Sequence, residues 1–229
     1  MIGIIGALSI EIEGLLEKMS GVSEESYSGI TYVRGTLNGM DAVVAKCGIG
    51  KVNAAVCAQT MILKYRPKII VNTGVAGAIS SKVRIGDIIV ATSVVYHDLD
   101  TTPICEGTKK GHILELDKAY IQCDPTVAAG LRAAAGECHG GIVASGDQFI
   151  NCSYVKAKIL HDFDATACEM EGAAIAHVCE LNNMPFGIVR TISDNADDMS
   201  DFDFADFVKE AAKKSVDIIS RWLADGANA

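Results

Sequence analysis

The sequence predicts an α/β fold: a three-layer sandwich in which a mixed β-sheet is flanked by helices on both faces. Short apolar, β-rich runs alternate with longer stretches of helical periodicity along the whole chain, the pattern of a sheet covered by helices. The dipeptide Asn38-Gly39 separates two β-like runs, and its tolerance of positive φ marks a tight hairpin, so at least one strand pair is antiparallel. The chain has 229 residues, 49% hydrophobic and 21% charged, enough for one well-filled core and short for two catalytic domains. Its 22 glycines and 4 prolines are spread out rather than gathered into a linker, and no repeat is visible, so residues 1–229 are expected to form a single domain.

Residues 2–7 read as a buried first strand. Ser9 is a candidate helix cap, and Ile12, Leu15, Leu16 and Met19 follow at helical spacing, which puts Glu11 in the first turn just past the strand's carboxyl end. Residues 32–37 and 42–46 form the hairpin, a helix over 52–65 carries the chain onward, and 68–73 is the next strand. Further strands are expected over 87–96, 141–145 and 186–193. Helices are expected over 125–135, 154–160, 170–182 and 204–223, the last with Phe207, Ala211, Ile218 and Trp222 on one apolar stripe.

Composition excludes several functions. A formal charge of −9 argues against a protein that tracks nucleic-acid phosphates, and any nucleotide-like ligand is expected to be uncharged or cationic. No basic leader or apolar stretch of membrane-spanning length is apparent, so a cytoplasmic protein without membrane attachment is expected. The eight cysteines (47, 57, 105, 123, 138, 152, 168 and 179) contain no C-x-x-C pair, which removes zinc and dithiol redox readings and predicts reduced, mostly buried thiols.

The chemistry-bearing residues cluster at predicted element ends. Glu169 and Glu171 stand one residue apart among small and apolar neighbours, and Asp194 ends the apolar run that begins near Val189. Desolvating a carboxylate costs several kcal/mol unless it is paired or protonated, so acids in such surroundings usually have a task. Acids in a first helical turn are favoured by the helix dipole whatever the protein does, so Glu169 and Glu171 alone do not decide the matter. Gly48-Ile49-Gly50-Lys51-Val52 lacks the hydroxyl residue and the first glycine of a P-loop, and Gly3-Ile4-Ile5-Gly6 lacks the dinucleotide spacing; tight turns are expected at both. Asn72-Thr73-Gly74-Val75-Ala76-Gly77-Ala78 is expected to leave a strand end open to a ligand, facing a cleft shared by Glu11, Asp194 and residues 145–150. His97 and Arg190 are expected to be structural, the latter in a buried pair.

These motifs together resemble the methylthioadenosine/S-adenosylhomocysteine nucleosidases of the nucleoside phosphorylase-like superfamily. The resemblance runs from Ile4-Ile5-Gly6-Ala7 and Glu11, through Gly48–Val52 and Asn72-Thr73-Gly74, to Ser145-Gly146-Asp147, Glu169-Met170-Glu171 and Ile192-Ser193-Asp194. It implies hydrolysis of the N-glycosidic bond of a 5′-thio-substituted adenosine, giving adenine and a thioribose, in a homodimer. By resemblance Asp194 donates a proton to adenine N7 and Glu11 activates the attacking water. Glu171 and Met170 match the ribose-binding pair, Gly77 offers its amide, and Leu8 and Phe204 make apolar contact with the 5′ group. Phe149 is expected as the platform for the purine, with Ile150 reading the purine's edge. Ile49, Val75, Glu169 and Ser193 are secondary candidates, Ser193 as a neighbour that helps Asp194 keep its proton. No metal or organic cofactor is implied, water being the nucleophile.

Such a reaction needs an acid at the departing base and a carboxylate near the sugar, where positive charge develops. Many relatives carry Ser where this chain has Val75, and residues 101–116 depart from an aromatic-rich loop common among them, which leaves the tail preference open to 6-amino-6-deoxyfutalosine. A nucleoside phosphorylase is the second alternative, and the absence of the phosphate-binding Arg that its relatives typically carry in place of Asn72 counts against it. A nucleoside-binding protein without catalysis is the third, and the presence of both Glu11 and Asp194 counts against it.

Overall fold

In the computed structural model, which describes residues 1–226, ten strands form one mixed sheet between two layers of helices. The elements follow in the order β1 (Ile2–Gly6), α1 (Ser9–Leu16), β2 (Ser20–Tyr27), β3 (Ile30–Leu37), β4 (Met40–Lys46), α2 (Lys51–Tyr65), β5 (Ile70–Ala78) and β6 (Ile88–Tyr96). Then come a 3₁₀ turn (Leu114–Leu116), β7 (Ile121–Gln122), α3 (Pro125–Ala135), β8 (His139–Ser145), α4 (Ser153–Phe163), β9 (Ala167–Glu169), α5 (Gly172–Leu181), β10 (Phe186–Asp194) and α6 (Ser200–Ala224). β1 lies between β4 and β5, parallel to both, while β3 and β4 form the expected hairpin, with Asn38 at φ 48° and Gly39 at φ 79°.

The sheet curls back on itself at one end. β5 pairs with β1 through residues 70–72, with β10 through 70–77 and with β9 at Gly77 and Ala78. Since β10 also pairs with β6, β6 with β8 and β8 with β9, the far half of β5 and these four strands close a ring of five. One face of the sheet packs against α2 and α5 through residues such as Ala54, Cys57, Met61, Ile175 and Cys179. The other packs against α1, α3 and α6 through Ile12, Leu15, Val127, Leu131, Ile218 and Trp222. α3 begins where Asp124 accepts the N–H groups of Thr126 (2.9 Å) and Val127 (3.0 Å), with Pro125 in the first turn, a cap contributing ~1 kcal/mol. All eight cysteines are free thiols.

Several boundaries differ from expectation. Leu8, not Ser9, holds the cap position of α1, because the Glu11 carboxylate already takes the amides of Ala7 and Leu8. The segment 74–78, expected to lie beyond the end of a strand, continues β5, since β10 and β9 supply hydrogen-bond partners along it. β2, β7 and β9 were not foreseen: β2 is exposed nearly throughout and carries no alternation of apolar residues, and β7 and β9 are two and three residues long. α5 starts at Gly172 and α6 at Ser200, and Phe207 is exposed rather than part of the α6 stripe, whereas Ala211, Ile218 and Trp222 are buried.

Candidate active site

Every residue to which the resemblance gives a catalytic or substrate-binding role lines one cavity of about 590 Å³, counting its open mouth. Its walls come from the turn into α1 (Leu8, Glu11), the loop before α2 (Ile49), β5 (Val75, Gly77), the segment after β8 (Phe149, Ile150), the β9–α5 junction (Glu169, Met170, Glu171), the end of β10 (Ser193, Asp194) and the first turn of α6 (Phe204). The volume suits a small organic ligand. Ala7, Ala76, Gln148 and Cys168 complete the lining; the first three lie in segments the sequence singled out without a role of their own, and Cys168 carried no distinguishing signal.

Glu11 is buried in the first turn of α1. Its Oε2 accepts the N–H of Ala7 (2.7 Å) and of Leu8 (2.9 Å), and its Oε1 accepts that of Val75 (3.1 Å). Burial pushes its carboxyl above the usual range, opposed by the Arg190 charge and those three amides. The close fit needs glycine at position 74, where a Cβ would sit 2.5 Å from Glu11 Oε1. Thus the Val75 side chain adds no hydrogen bond, yet its backbone holds Glu11.

Asp194 ends β10 at the same cavity. Its Oδ1 accepts the N–H of Ala196 (2.9 Å), itself at φ 52°, and its Oδ2 accepts the hydroxyl of Ser193 (2.9 Å). Burial raises its pKa, and the bonds from Ala196, Ser193 and Ser200 pull the other way. A Cβ on Gly77 would come within 2.7 Å of Asp194 Oδ1. Gly74 and Gly77 are three residues apart on β5, roughly 10 Å of strand at its usual rise, so the two acids are set against separate stretches of one strand, and both line the cavity.

Glu171 caps α5, and its Oε1 accepts the N–H of Gly50 at 2.8 Å. Burial first, and the Glu169 charge second, push its carboxyl up to about 8. The glycine loop is a tight turn as expected, with Gly48 at φ 87° and Gly50 at φ 95°, and it also delivers this amide to the site, which the motif comparison did not reveal. Phe149 and Phe204 meet edge to face with ring centroids 5.6 Å apart, while Ile150 is buried beneath.

Glu169 lines the cavity but is bound inward. It pairs with Arg190 Nη2 at 2.5 Å, accepts the Ser145 hydroxyl, and takes the N–H of Gly172 at 2.7 Å and of Glu171 at 3.2 Å. Arg190, almost wholly buried, also donates to Asn72 Oδ1 and to the carbonyls of Asn72 and Val189. Burial opposes its charge, but Glu169, Glu11 and Glu171 outweigh that and hold it protonated. The structural pair expected for Arg190 is therefore present, with Glu169 as its partner. His97 does not line the cavity. Among the described residues no group of three or more His, Cys, Asp or Glu side chains is placed to hold a metal, and no helix is long and apolar enough to cross a membrane.

The phosphorylase superfamily model matches residues 1–224. A methylthioadenosine/S-adenosylhomocysteine nucleosidase of Shewanella halifaxensis is 40% identical over 220 residues, covering 93% of this chain and 94% of that protein. The Neisseria meningitidis nucleosidase of the same name, solved with methylthio-immucillin-A, superposes with a TM-score of 0.94 at 34% identity, covering 98% of each chain. A futalosine hydrolase of Helicobacter pylori superposes with a TM-score of 0.92 at 32% identity, covering 98% of this chain and 97% of that one.

Proposed function

Because the chain belongs to the methylthioadenosine/S-adenosylhomocysteine nucleosidase family of the phosphorylase superfamily, and is thus an N-glycosidic hydrolase, we propose that it hydrolyses 5′-methylthioadenosine and S-adenosylhomocysteine with Asp194 as acid and Glu11 as base. The observation that carries the assignment of roles is the pair of buried carboxylates, both with raised pKa, set against Gly74 and Gly77 of one strand. Asp194 gives its proton to adenine N7 as the C1′–N9 bond breaks and the bonding electrons leave with the base. A water oxygen bonds to C1′ and its proton passes to Glu11, whose negative charge stabilises the cationic sugar centre. Adenine and the thioribose are the products.

Glu171 holds the ribose hydroxyls with Met170 against the sugar, Phe149 and Ile150 bind the purine with the Gly77 amide nearby, and Leu8, Ile49, Val75 and Phe204 surround the 5′ end. Ser193 and Glu169 act through Asp194 and Glu171, the groups they touch or adjoin. The protein works without metal or cofactor, as a homodimer in the cytoplasm. Aminodeoxyfutalosine is the second reading, favoured by the fit to the Helicobacter pylori futalosine hydrolase. Chromatographic detection of adenine from each of the three nucleosides, with and without phosphate, tests both. Phosphate-independent adenine release identifies the hydrolase and ranks the substrates. Strict phosphate dependence points instead to a phosphorylase, and no release to a binding protein.

A further inference from the structure

We infer that Lys51, Asp98 and Asp147 form an ion-paired clamp that positions the purine-side wall of the cavity and, through Gly50, the Glu171 carboxylate. None of the three lines the cavity, but Lys51 and Asp147 adjoin segments that do, and Asp98 bonds to both of them. Lys51 Nζ reaches both carboxylate oxygens of Asp98, at 2.6 and 2.7 Å, and lies 3.7 Å from Asp147 Oδ2. The N–H of Asp147 donates to Asp98 Oδ2 at 2.9 Å, and Asp147 Oδ1 accepts the N–H of Lys51 at 2.8 Å. The start of α2, the residue two past β6 and the segment after β8 are thereby tied together, each by at least two contacts.

The arrangement follows from the cap of α2. Gly50 occupies the cap position and has no side chain to bind the first amides of the helix, so the remote carboxylate of Asp147 takes the Lys51 N–H, at the positive end of the helix dipole. The Gly50 N–H is left to point elsewhere and goes to Glu171 Oε1. A Cβ at Gly50 would lie 3.1 Å from Asp147 Oδ1, and one at Gly146 would lie 2.4 Å from the His97 ring, so the segment is seated closely on both sides. Phe149 and Ile150 follow Asp147 by two and three residues, which leaves little slack between the anchor and the wall it carries. The side chains of Lys51 and Asp98 are 25% and 21% exposed, so water screens this pair less than an open surface pair. Despite burial, which acts to raise it, the Asp98 carboxyl is held below its usual range by Lys51 and the Asp147 amide.

The kinetic part of the test rests on the nucleosidase reading; the exchange part does not. In Lys51→Met, KM for 5′-methylthioadenosine and Kd for adenine rise about tenfold while kcat changes less than about threefold, the scale of one charge-assisted hydrogen bond. Amide hydrogen exchange over residues 147–150 accelerates in the ligand-free protein while β1 and β5 keep their protection, Asp98→Asn reproduces the effect, and Lys51→Arg restores most of it. Lys51→Met combined with Asp98→Asn is no worse than the more damaging single change. Unchanged exchange and unchanged adenine Kd in both single variants overturn the clamp. So does faster exchange across the whole sheet with KM unaltered, which describes a merely structural ion pair. Absence of adenine release by the wild-type protein dismisses the nucleosidase reading alone and leaves exchange to decide the clamp.

Discussion

Replacing Asp194 with Asn removes the proposed proton donor while leaving its shape. The amide oxygen can keep the Ala196 N–H, now accepted by Asp194 Oδ1 at 2.9 Å. The amide NH₂ then faces Ser193 Oγ, whose hydroxyl is free to turn to the Ala76 carbonyl 3.4 Å away. One hydrogen bond is reoriented and none is stranded, so stability should change by no more than about 1 kcal/mol. The catalytic loss is far larger. A positioned general acid contributes roughly 10²- to 10⁴-fold, which corresponds to about 3–5 kcal/mol of barrier. Asp194→Asn is therefore expected to lower kcat for adenine release by that factor while calorimetric affinity for 5′-methylthioadenosine stays within about fivefold and Tm nearly constant. A well-folded variant that binds substrate and turns over within tenfold of the parent would refute Asp194 as the donor.

Gly74→Ala drives a methyl group to 2.5 Å from Glu11 Oε1, so it should displace the base and cut kcat about a hundredfold or more, read in the same adenine assay, with a smaller effect on adenine Kd. Arg190→Met leaves Glu169 buried without its cation and should destabilise the fold by about 3–5 kcal/mol in urea titrations, with partial recovery in the double variant that adds Glu169→Gln. Stability should also fall between about pH 6.5 and 8. The raised folded pKa of Glu171, about 8 against 4.5, contributes stability that is complete below 4.5 and lost as pH rises to 8. Glu11 and Asp194 act in the same direction, whereas His97 and His177, whose pKa values are lowered, act only below about 6.5. Glu171 alone accounts for about 2 kcal/mol over that window, and Glu171→Gln should flatten the slope of urea midpoints against pH.

The strands that were legible are those whose residues face helices on at least one side. β1, β5 and β10 are apolar because they lie inside the sandwich, and the Asn38-Gly39 turn declares its own φ requirement. β2 stayed hidden because an exposed edge strand needs no apolar face; Ser-Gly-Val-Ser-Glu-Glu-Ser-Tyr is held on β3 by its backbone ladder, with Ser26–Thr31 and Tyr27–Tyr32 side-chain contacts near one end. The far half of β5 was missed because glycines weaken a strand pattern, but here Gly74 and Gly77 make space for Glu11 and Asp194. The site residues could be gathered from the sequence because their motifs resemble those of a family. Their roles as neighbours could not, because the Gly50 amide on Glu171 joins residues 121 apart, and the Arg190 contact to Asn72 joins residues 118 apart.

What governs the site is its charge balance. Four carboxylates line one cavity, and the guanidinium beside them is committed to Glu169. Glu169 in turn fixes the backbone of Glu171 and Gly172, so its negative charge is matched by one cation and by amides at the start of α5. Glu11, Glu171 and Asp194 are left in a buried space without a full counter-charge, and each of their pKa values is raised. Under the proposed reaction that deficit is useful at two points. It keeps a proton on Asp194 for the departing base, and it leaves the cavity short of positive charge, which the cationic sugar of the transition state supplies. A ligand that carries a fixed positive charge at the sugar position should accordingly bind more tightly than its neutral analogue, by an amount that shrinks as pH falls and the three acids take up protons.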